Sequence, residues 1–440
     1  MNQDSRALAR QLLSSGAAKP EGAKVGSIVN PVAAKIIHHQ ARGFDNHPGA
    51  LEFLKMKENF ENMGINGNSY FQAWTKRDGA KVLIGDAWKI NYSSYNYLGL
   101  ATDPEVMQAA KDAIDQYGTS VSAARMVAGQ IPLHDELEAE FAAFFGTEDA
   151  LLFVSGFLTN VATLGFLLTD KDLIIHDELI HNSMVTGALL SGARRLTFPH
   201  NDAQGLDRLL KMHRHLYERA IILTEGVFSM DGDLANIRPI IEVAHRHDAS
   251  IMLDEAHSMG TIGATGRGVQ EALGVKSNEI EIWMGSLSKS VGSAGGFIAG
   301  SKNMINNLRY NAPGAVLYCA GMPAPTAAAA LCGLRKLKKE IWRVEKLQAN
   351  AAYFLKKAQE YGLDTGISTG TAVVPVIIGD SEKAVKLANL LNTKNINVHA
   401  IIYPAVPLNQ ARLRFFINCT HTFEEIDYTI ATVSENLNKV

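Results

Sequence analysis

Lys289 is the single lysine in residues 281–300, a run otherwise rich in small hydroxyl residues and glycine: Ser286-Leu-Ser288-Lys289-Ser-Val-Gly-Ser-Ala-Gly295-Gly296. Apolar Ile282 and Met284 predict a short strand that stops at Gly285, and Phe297-Ile298 predict another after the glycine-rich turn. An amine held on a tight turn between buried strands loses hydration. Its pKa falls, and the neutral form that a Schiff-base lysine needs becomes available. Ser286 and Ser288 can meanwhile donate hydroxyl hydrogen bonds to a phosphate. A surface-loop lysine is the plainer reading, and only partners elsewhere in the chain displace it.

Those partners fall where apolar runs stop. Asp254 follows Ile251–Leu253 and begins Asp254-Glu-Ala256-His257. A carboxylate there can pair with a protonated heterocyclic nitrogen, because an adjacent anion favours the cation. Ala256 is small enough to lie under a ring, and His257 can bond a phenolic oxygen. Ser155-Gly156-Phe157 opens a helix after another apolar run, where glycine lets the backbone approach an anion and the helix start offers free amides. His181 also begins a helix, placed to stack on a flat heterocycle or donate to a substrate carbonyl. Glycine turn, histidine, Asp-x-x-His and Ser-x-Ser-Lys, each at a strand end, together meet the needs of pyridoxal 5'-phosphate: an amine, an anion at the ring nitrogen, a stacking group and phosphate donors.

Rival chemistries fit less well. His176 and His181 would point about 140° apart on a helix, which excludes a shared zinc. His38-His39 has no ligand spaced to complete a metal site. Gly263-Ala-Thr-Gly266-Arg-Gly268 lacks dinucleotide spacing, and no Gly-x-Ser-x-Gly elbow marks a serine hydrolase.

The elements that must position these groups alternate. Strands are expected at 149–154, 173–176, 194–198, 220–224, 250–254, 281–284 and 296–300. Helices are expected at 103–117, 133–145, 157–168, 181–191, 204–214 and 236–247, the pattern of a mainly parallel sheet covered by helices. In such a sheet ligands bind beyond the carboxyl ends of the strands, where all the residues above lie. Residues 150–169 carry no charge, yet Ser155-Gly156 and the polar Thr159, Asn160 and Thr163 make strand, turn and buried helix a better reading than a membrane span. Beyond 330 come a long helical stretch, 324–360, strands at 372–378, 396–401 and 412–418, helix 381–393 and a final helix. Arg412 and Arg414 fall on one strand face, where an arginine can clamp a carboxylate.

The chain has 440 residues and a net charge of −3, which favours neither nucleic acid nor an anionic membrane as partner. Cys319, Cys332 and Cys419 are few, odd in number and without metal spacing, so a reducing cytoplasm is expected; the N-terminus lacks a signal-peptide pattern.

The chain resembles the α-oxoamine synthases of the type I aminotransferase fold. The resemblance spans roughly residues 65–435 and rests on Ser94-Tyr-Asn96-Tyr-Leu-Gly-Leu100, Ser155-Gly-Phe157, His181-Asn-Ser183, Glu225-Gly-Val-Phe-Ser229-Met-Asp-Gly, Asp254-Glu-Ala-His257 and Ser286-Leu-Ser-Lys289. It implies a large domain, 71–330, with a seven-stranded mainly parallel sheet, a smaller C-terminal α/β domain, 331–440, and an N-terminal arm, 1–70. It implies that Lys289 carries the cofactor, Asp254 pairs with the pyridine nitrogen, His181 stacks on the ring, Ala256 lies beneath it and His257 contacts the phenolic oxygen. Gly156 and Phe157 amides, with Ser229, Ser286 and Ser288, would complete the cofactor site, and no metal is needed. Arg414 matches the arginine that holds the amino-acid carboxylate, with Asn96 and Ala405 also at the substrate. The implied reaction condenses an amino acid with an acyl thioester, carried by coenzyme A or acyl carrier protein, releases carbon dioxide and yields an α-amino ketone. A homodimer is implied, and the N-terminal arm could meet a carrier protein or a membrane surface. Ser288 before the lysine resembles serine palmitoyltransferase most closely, whereas Ala400-Ile-Ile-Tyr-Pro404-Ala-Val-Pro407 is nearer to glycine-using branches; 8-amino-7-oxononanoate synthase and an aminotransferase are the further alternatives.

Overall fold

The computed structural model describes residues 43–45, 47–62 and 70–440. By packing, the chain forms two units, Met1–Gly64 and Ile65–Val440. The described part of the first is mainly helix α1, Pro48–Asn62, with Leu51, Phe53 and Leu54 exposed. His38-His39 lies outside the described residues.

The second unit begins with three antiparallel strands, β1 (Lys76–Asp78), β2 (Lys81–Ile84) and β3 (Ala87–Asn91). Helix α2 (Pro104–Tyr117) starts at Asp103, whose carboxylate caps the amides of Glu105 and Val106, with Pro104 at its first turn. Helix α3 (Pro132–Phe145) stops at Gly146, whose φ of 66° is left-handed. There follow β4 (Asp149–Phe153), α4 (Gly156–Leu167), β5 (Asp172–Asp177), α5 (Asn182–Ser191), β6 (Arg194–Phe198), α6 (Ala203–His213), β7 (Arg219–Glu225), α7 (Ile237–Arg246), β8 (Ser250–Asp254), β9 (Ile282–Ser286), β10 (Gly296–Gly300) and α8 (Lys302–Asn311). The uncharged stretch 150–169 is thus strand, turn and helix, and among the described residues no helix is long and apolar enough to cross a membrane.

The seven central strands lie in the order β4-β10-β9-β8-β7-β5-β6. β10 runs antiparallel to both neighbours and the remaining pairs are parallel, the type I aminotransferase architecture expected. Helices cover both faces, so the inner strands are buried on both sides; every residue of β5 and of β9 is buried. Ile174, Leu223, Met252, Met284 and Ile298 pack on one face with Leu164 and Met184 from α4 and α5.

The C-terminal part differs from expectation in two places. The helical stretch 324–360 is two helices, α9 (Ala324–Lys339) and α10 (Trp342–Glu360), broken at Glu340-Ile341. Glu340 turns its carboxylate to Lys336 on one helix and Arg343 on the other, at 2.7 and 2.6 Å. Residue 330, the expected domain seam, lies inside α9, which packs on α2 and α3. After β11 (Val373–Gly379) and α11 (Ser381–Thr393), the strand expected at 396–401 divides into β12 (Ile396–Asn397), which pairs with β3, and β13 (Ala400–Ile401), which pairs with β14 (Ala411–Phe416). Helix α12 (Phe423–Leu437) closes the chain on a reciprocal cap between Thr422 and Glu425.

Candidate functional site

The carboxyl ends of β4, β7, β8 and β9 surround a cavity of about 350 Å³ lined by Gly156, Phe157, His181, Ser229, Asp254, Ala256, His257, Ser286, Ser288, Lys289 and Arg414. Eleven residues singled out in the sequence thus meet in one place. Asn96 lines a second cavity of about 400 Å³, whose wall shares Tyr95, Ser288 and Lys289 with the first. One amine therefore faces both spaces. Ala405 lies exposed on the loop between β13 and β14 and lines neither.

Lys289 follows β9 on a turn closed by the Gly292 amide donating to the Lys289 carbonyl at 3.0 Å. Burial lowers its pKa; Asp254 and Glu225 act upward, and Arg414 downward. Its amine sits 5.8 Å from the centre of the Tyr95 ring. Asp254 ends β8 and is buried, with Oδ2 accepting from Asn160 at 3.0 Å and Oδ1 from the Ala256 amide at 2.9 Å. His181 caps α5: its Nδ1 accepts from the Ser183 amide at 3.3 Å and lies 2.7 Å from the Ser183 hydroxyl. Nδ1 being an acceptor places the proton of the neutral ring on Nε2, and burial lowers the pKa, which favours that neutral form. His257 is buried with its Nδ1 2.7 Å from the Tyr97 hydroxyl, and burial holds its pKa well below the usual value.

Arg414 on β14 donates to the Ser229 carbonyl at 3.0 Å and lies over the Phe416 ring at 4.6 Å, while its Nε is buried without a partner. Arg412, two residues away, is instead neutralised by Asp231. The two arginines therefore separate into a structural ion pair and one facing the cavity.

Pyridoxal 5'-phosphate fits these groups. A Cβ on Gly156 would come within 2.9 Å of the Ser286 hydroxyl, so glycine keeps open a cradle at the start of α4, where Ser286 and Ser288 hydroxyls lie 2.8 Å apart. Asp254, at the end of β8 in the wall of the same cavity, would supply the anion a pyridine nitrogen requires. Among the described residues no His, Cys, Asp and Glu cluster could hold a metal, and the three cysteines are free.

Four residues at the site escaped the reading of sequence. Asn160 was visible as a polar residue inside an apolar helix, and Tyr97 as part of the Ser94–Leu100 motif, without a role for either. Glu225 stands first in the Glu225-Gly-Val-Phe-Ser229 motif, again without a role. Arg77, in the second cavity, had no signal beyond its charge.

Residues 87–433 match the family model for class I and II aminotransferases. An 8-amino-7-oxononanoate synthase of Bacillus velezensis is 38% identical over 382 residues, covering 87% of this chain and 95% of its own. The 8-amino-7-oxononanoate synthase of Fervidobacterium nodosum is 36% identical over 376 residues, covering 85% and 94%. Among solved structures, serine palmitoyltransferase from S. paucimobilis superposes with a TM-score of 0.84 at 27% identity, covering 88% of this chain and 98% of that one. An 8-amino-7-oxononanoate synthase from Francisella tularensis gives a TM-score of 0.69 at 25% identity, covering 80% and 98%. The seven-stranded sheet, the cleft beyond its strand ends and these likenesses agree: the chain belongs to the class I and II aminotransferase family, as a pyridoxal-phosphate-dependent α-oxoamine synthase.

Proposed function

We propose that this enzyme condenses alanine with an acyl thioester whose far end is a carboxylate, the reaction named for its 8-amino-7-oxononanoate synthase relatives. In that product the amine-bearing carbon and its methyl group come from alanine, and the rest from a dicarboxylic monothioester. The observation that carries the reading is an arginine facing each of the two cavities on either side of Lys289: Arg414 in one and Arg77 in the other. Arg77 has a buried, unpartnered Nε, and its Nη2 makes only a long 3.4 Å hydrogen bond to the Ala101 carbonyl.

Each residue then has a task. Arg414 clamps the alanine carboxylate, and the clamp orients the α-hydrogen toward the amine of Lys289. The cofactor, when bound, supplies the electron sink for the pair left on the α-carbon. Asp254, steadied by Asn160, holds a proton on the ring nitrogen. His181 offers its Nε2 hydrogen to the thioester oxygen as negative charge develops there. The neutral Lys289 amine takes the α-proton and later returns one to the same carbon.

A serine palmitoyltransferase-like reading draws on Ser288 and on the fold neighbours, and calls for serine and an uncharged acyl tail. Carbon dioxide release from alanine, serine or glycine, each with acyl thioesters of equal length ending in carboxylate or methyl, decides between them. Preference for serine with the methyl-ended chain would reverse the assignment. The working unit in this reading is a homodimer: the helical turn Arg125–Gly129 and residues 318–321, linked by an Ala124–Ala320 bridge, leave Val127 and Tyr318 exposed. Light scattering showing a monomer at active concentrations would oppose that.

A further inference from the structure

We propose that Glu225 donates a hydrogen bond from Oε1 to the phenolic oxygen of the cofactor, as a second donor beside His257. Glu225 ends β7 directly opposite Asp254 on β8, in parallel register, so the two carboxyls project from the same face of the sheet. Both line the cavity that holds Lys289. Glu225 is 2% exposed, and its Oε1 is buried with no protein partner. A buried carboxyl oxygen left unpaired is costly, which points to a ligand atom as its partner.

Sheet order says which atom. The phosphate cradle of Gly156 and Ser286 lies on the β4 and β9 side, and Asp254 on β8 takes the ring nitrogen. The edge of a pyridoxal ring remote from its phosphate arm carries the phenolic oxygen, and that edge faces β7. His257, with Nδ1 committed to Tyr97, has Nε2 left to offer the same oxygen. Only a protonated carboxyl can donate. Burial, reinforced by Asp254, raises the Glu225 pKa well above the ordinary carboxylate value, while Lys289 and the His181 amide act in the opposite sense. Asp177 adds to the upward push. The inference rests on the cofactor chemistry of the family and is independent of which thioester is used.

The test is a pH titration of the cofactor's visible absorption in the holoenzyme without substrates. A donor to the phenolic oxygen stabilises the deprotonated cofactor–lysine linkage and so lowers the titration midpoint. Glu225→Gln keeps an N–H donor and is expected to leave the midpoint within about 0.3 pH unit; Glu225→Leu removes it and should raise the midpoint by about one unit. Glu225→Ala is a second donor-free variant and should shift in the same direction. An ionised Glu225 would act oppositely: Gln, Leu and Ala would all lower the midpoint, because each removes a nearby negative charge. That result, or an unchanged midpoint in Leu and Ala, overturns the proposal. Cofactor dissociation gives an independent readout, expected to weaken about ten-fold in Glu225→Leu and less than two-fold in Glu225→Gln; equal weakening in both would also overturn it.

Discussion

Replacing Arg77 with methionine tests the acyl-end reading with little disturbance, because methionine keeps most of the side chain's apolar length and removes only the charge. Arg77 is held by a weak 3.4 Å hydrogen bond to the Ala101 carbonyl and by the Trp74 ring 5.4 Å from its guanidinium carbon. Its pKa is lowered by burial, yet an arginine remains charged at any working pH. A charge-assisted hydrogen bond contributes about 1.5–3 kcal/mol. Arg77 is half-buried and partly screened, so the lower figure of about 1.5 kcal/mol applies, or roughly ten-fold. Steady-state kinetics with a carboxylate-ended thioester and the methyl-ended thioester of equal length would read this directly. Arg77→Met should raise KM for the first about ten-fold, with kcat held, and change the second less than about two-fold. Added salt should erode the wild-type preference as screening grows. Equal losses on both thioesters, or none on either, would refute the assignment of Arg77 to the distal carboxylate.

Three further outcomes follow from the geometry. His200 bridges Asp177 at 3.0 Å and Asp233 at 2.8 Å; burial alone would lower its pKa, but the two carboxylates raise it to about 10. A raised folded-state pKa gives stability that is complete below the unfolded value of about 6.5 and lost as pH rises through about 10. His200→Gln should therefore melt below wild type at pH 6, with the gap closing toward pH 10; a constant gap would mean the imidazolium charge is not what ties the Ser229 loop to β5. Asn160→Leu removes the side-chain donors to Asp254 and Ser183, at 3.0 and 2.9 Å, and should weaken cofactor binding about five- to ten-fold, measured by fluorescence titration. Arg414→Lys loses the planar fork and should raise the amino-acid KM by more than ten-fold while leaving the cofactor spectrum unaltered.

The central strands were legible because burial on both faces writes them as unbroken apolar runs, and the strand ends were legible because chemistry-bearing residues follow each one. β1 to β3 were not: Lys76–Asp78 and Lys81–Ile84 are short, partly exposed and mixed in polarity. The break between α9 and α10 carries no proline or glycine; Lys336 before it and Arg343 after it both pair with Asp103 at the start of α2, at 3.3 and 2.7 Å. Periodicity cannot report a break of that kind. Among site residues, Lys289, Asp254 and His257 stood in runs whose composition is unusual, whereas Asn160 and Arg77 gain their meaning only from what folding brings beside them. Arg412 and Arg414 were indistinguishable by pattern; Asp231, across a different element, separates them.

The electrostatic plan of the cleft ties the arginine clamp to the proton transfers. Arg414 is among the positive charges that lower the pKa of Lys289, of His181 and of His257, though burial is the larger cause for each. In the proposed reaction an amino-acid carboxylate docked on Arg414 would neutralise that positive field and make all three bases stronger. Lys289 is then most able to take a proton when the substrate offering one is in place. Loss of carbon dioxide would remove the carboxylate and restore the bare guanidinium, which would disfavour the protonated amine and drive its proton back toward carbon. Binding, deprotonation and reprotonation are thereby ordered by one charge that the substrate itself covers and uncovers.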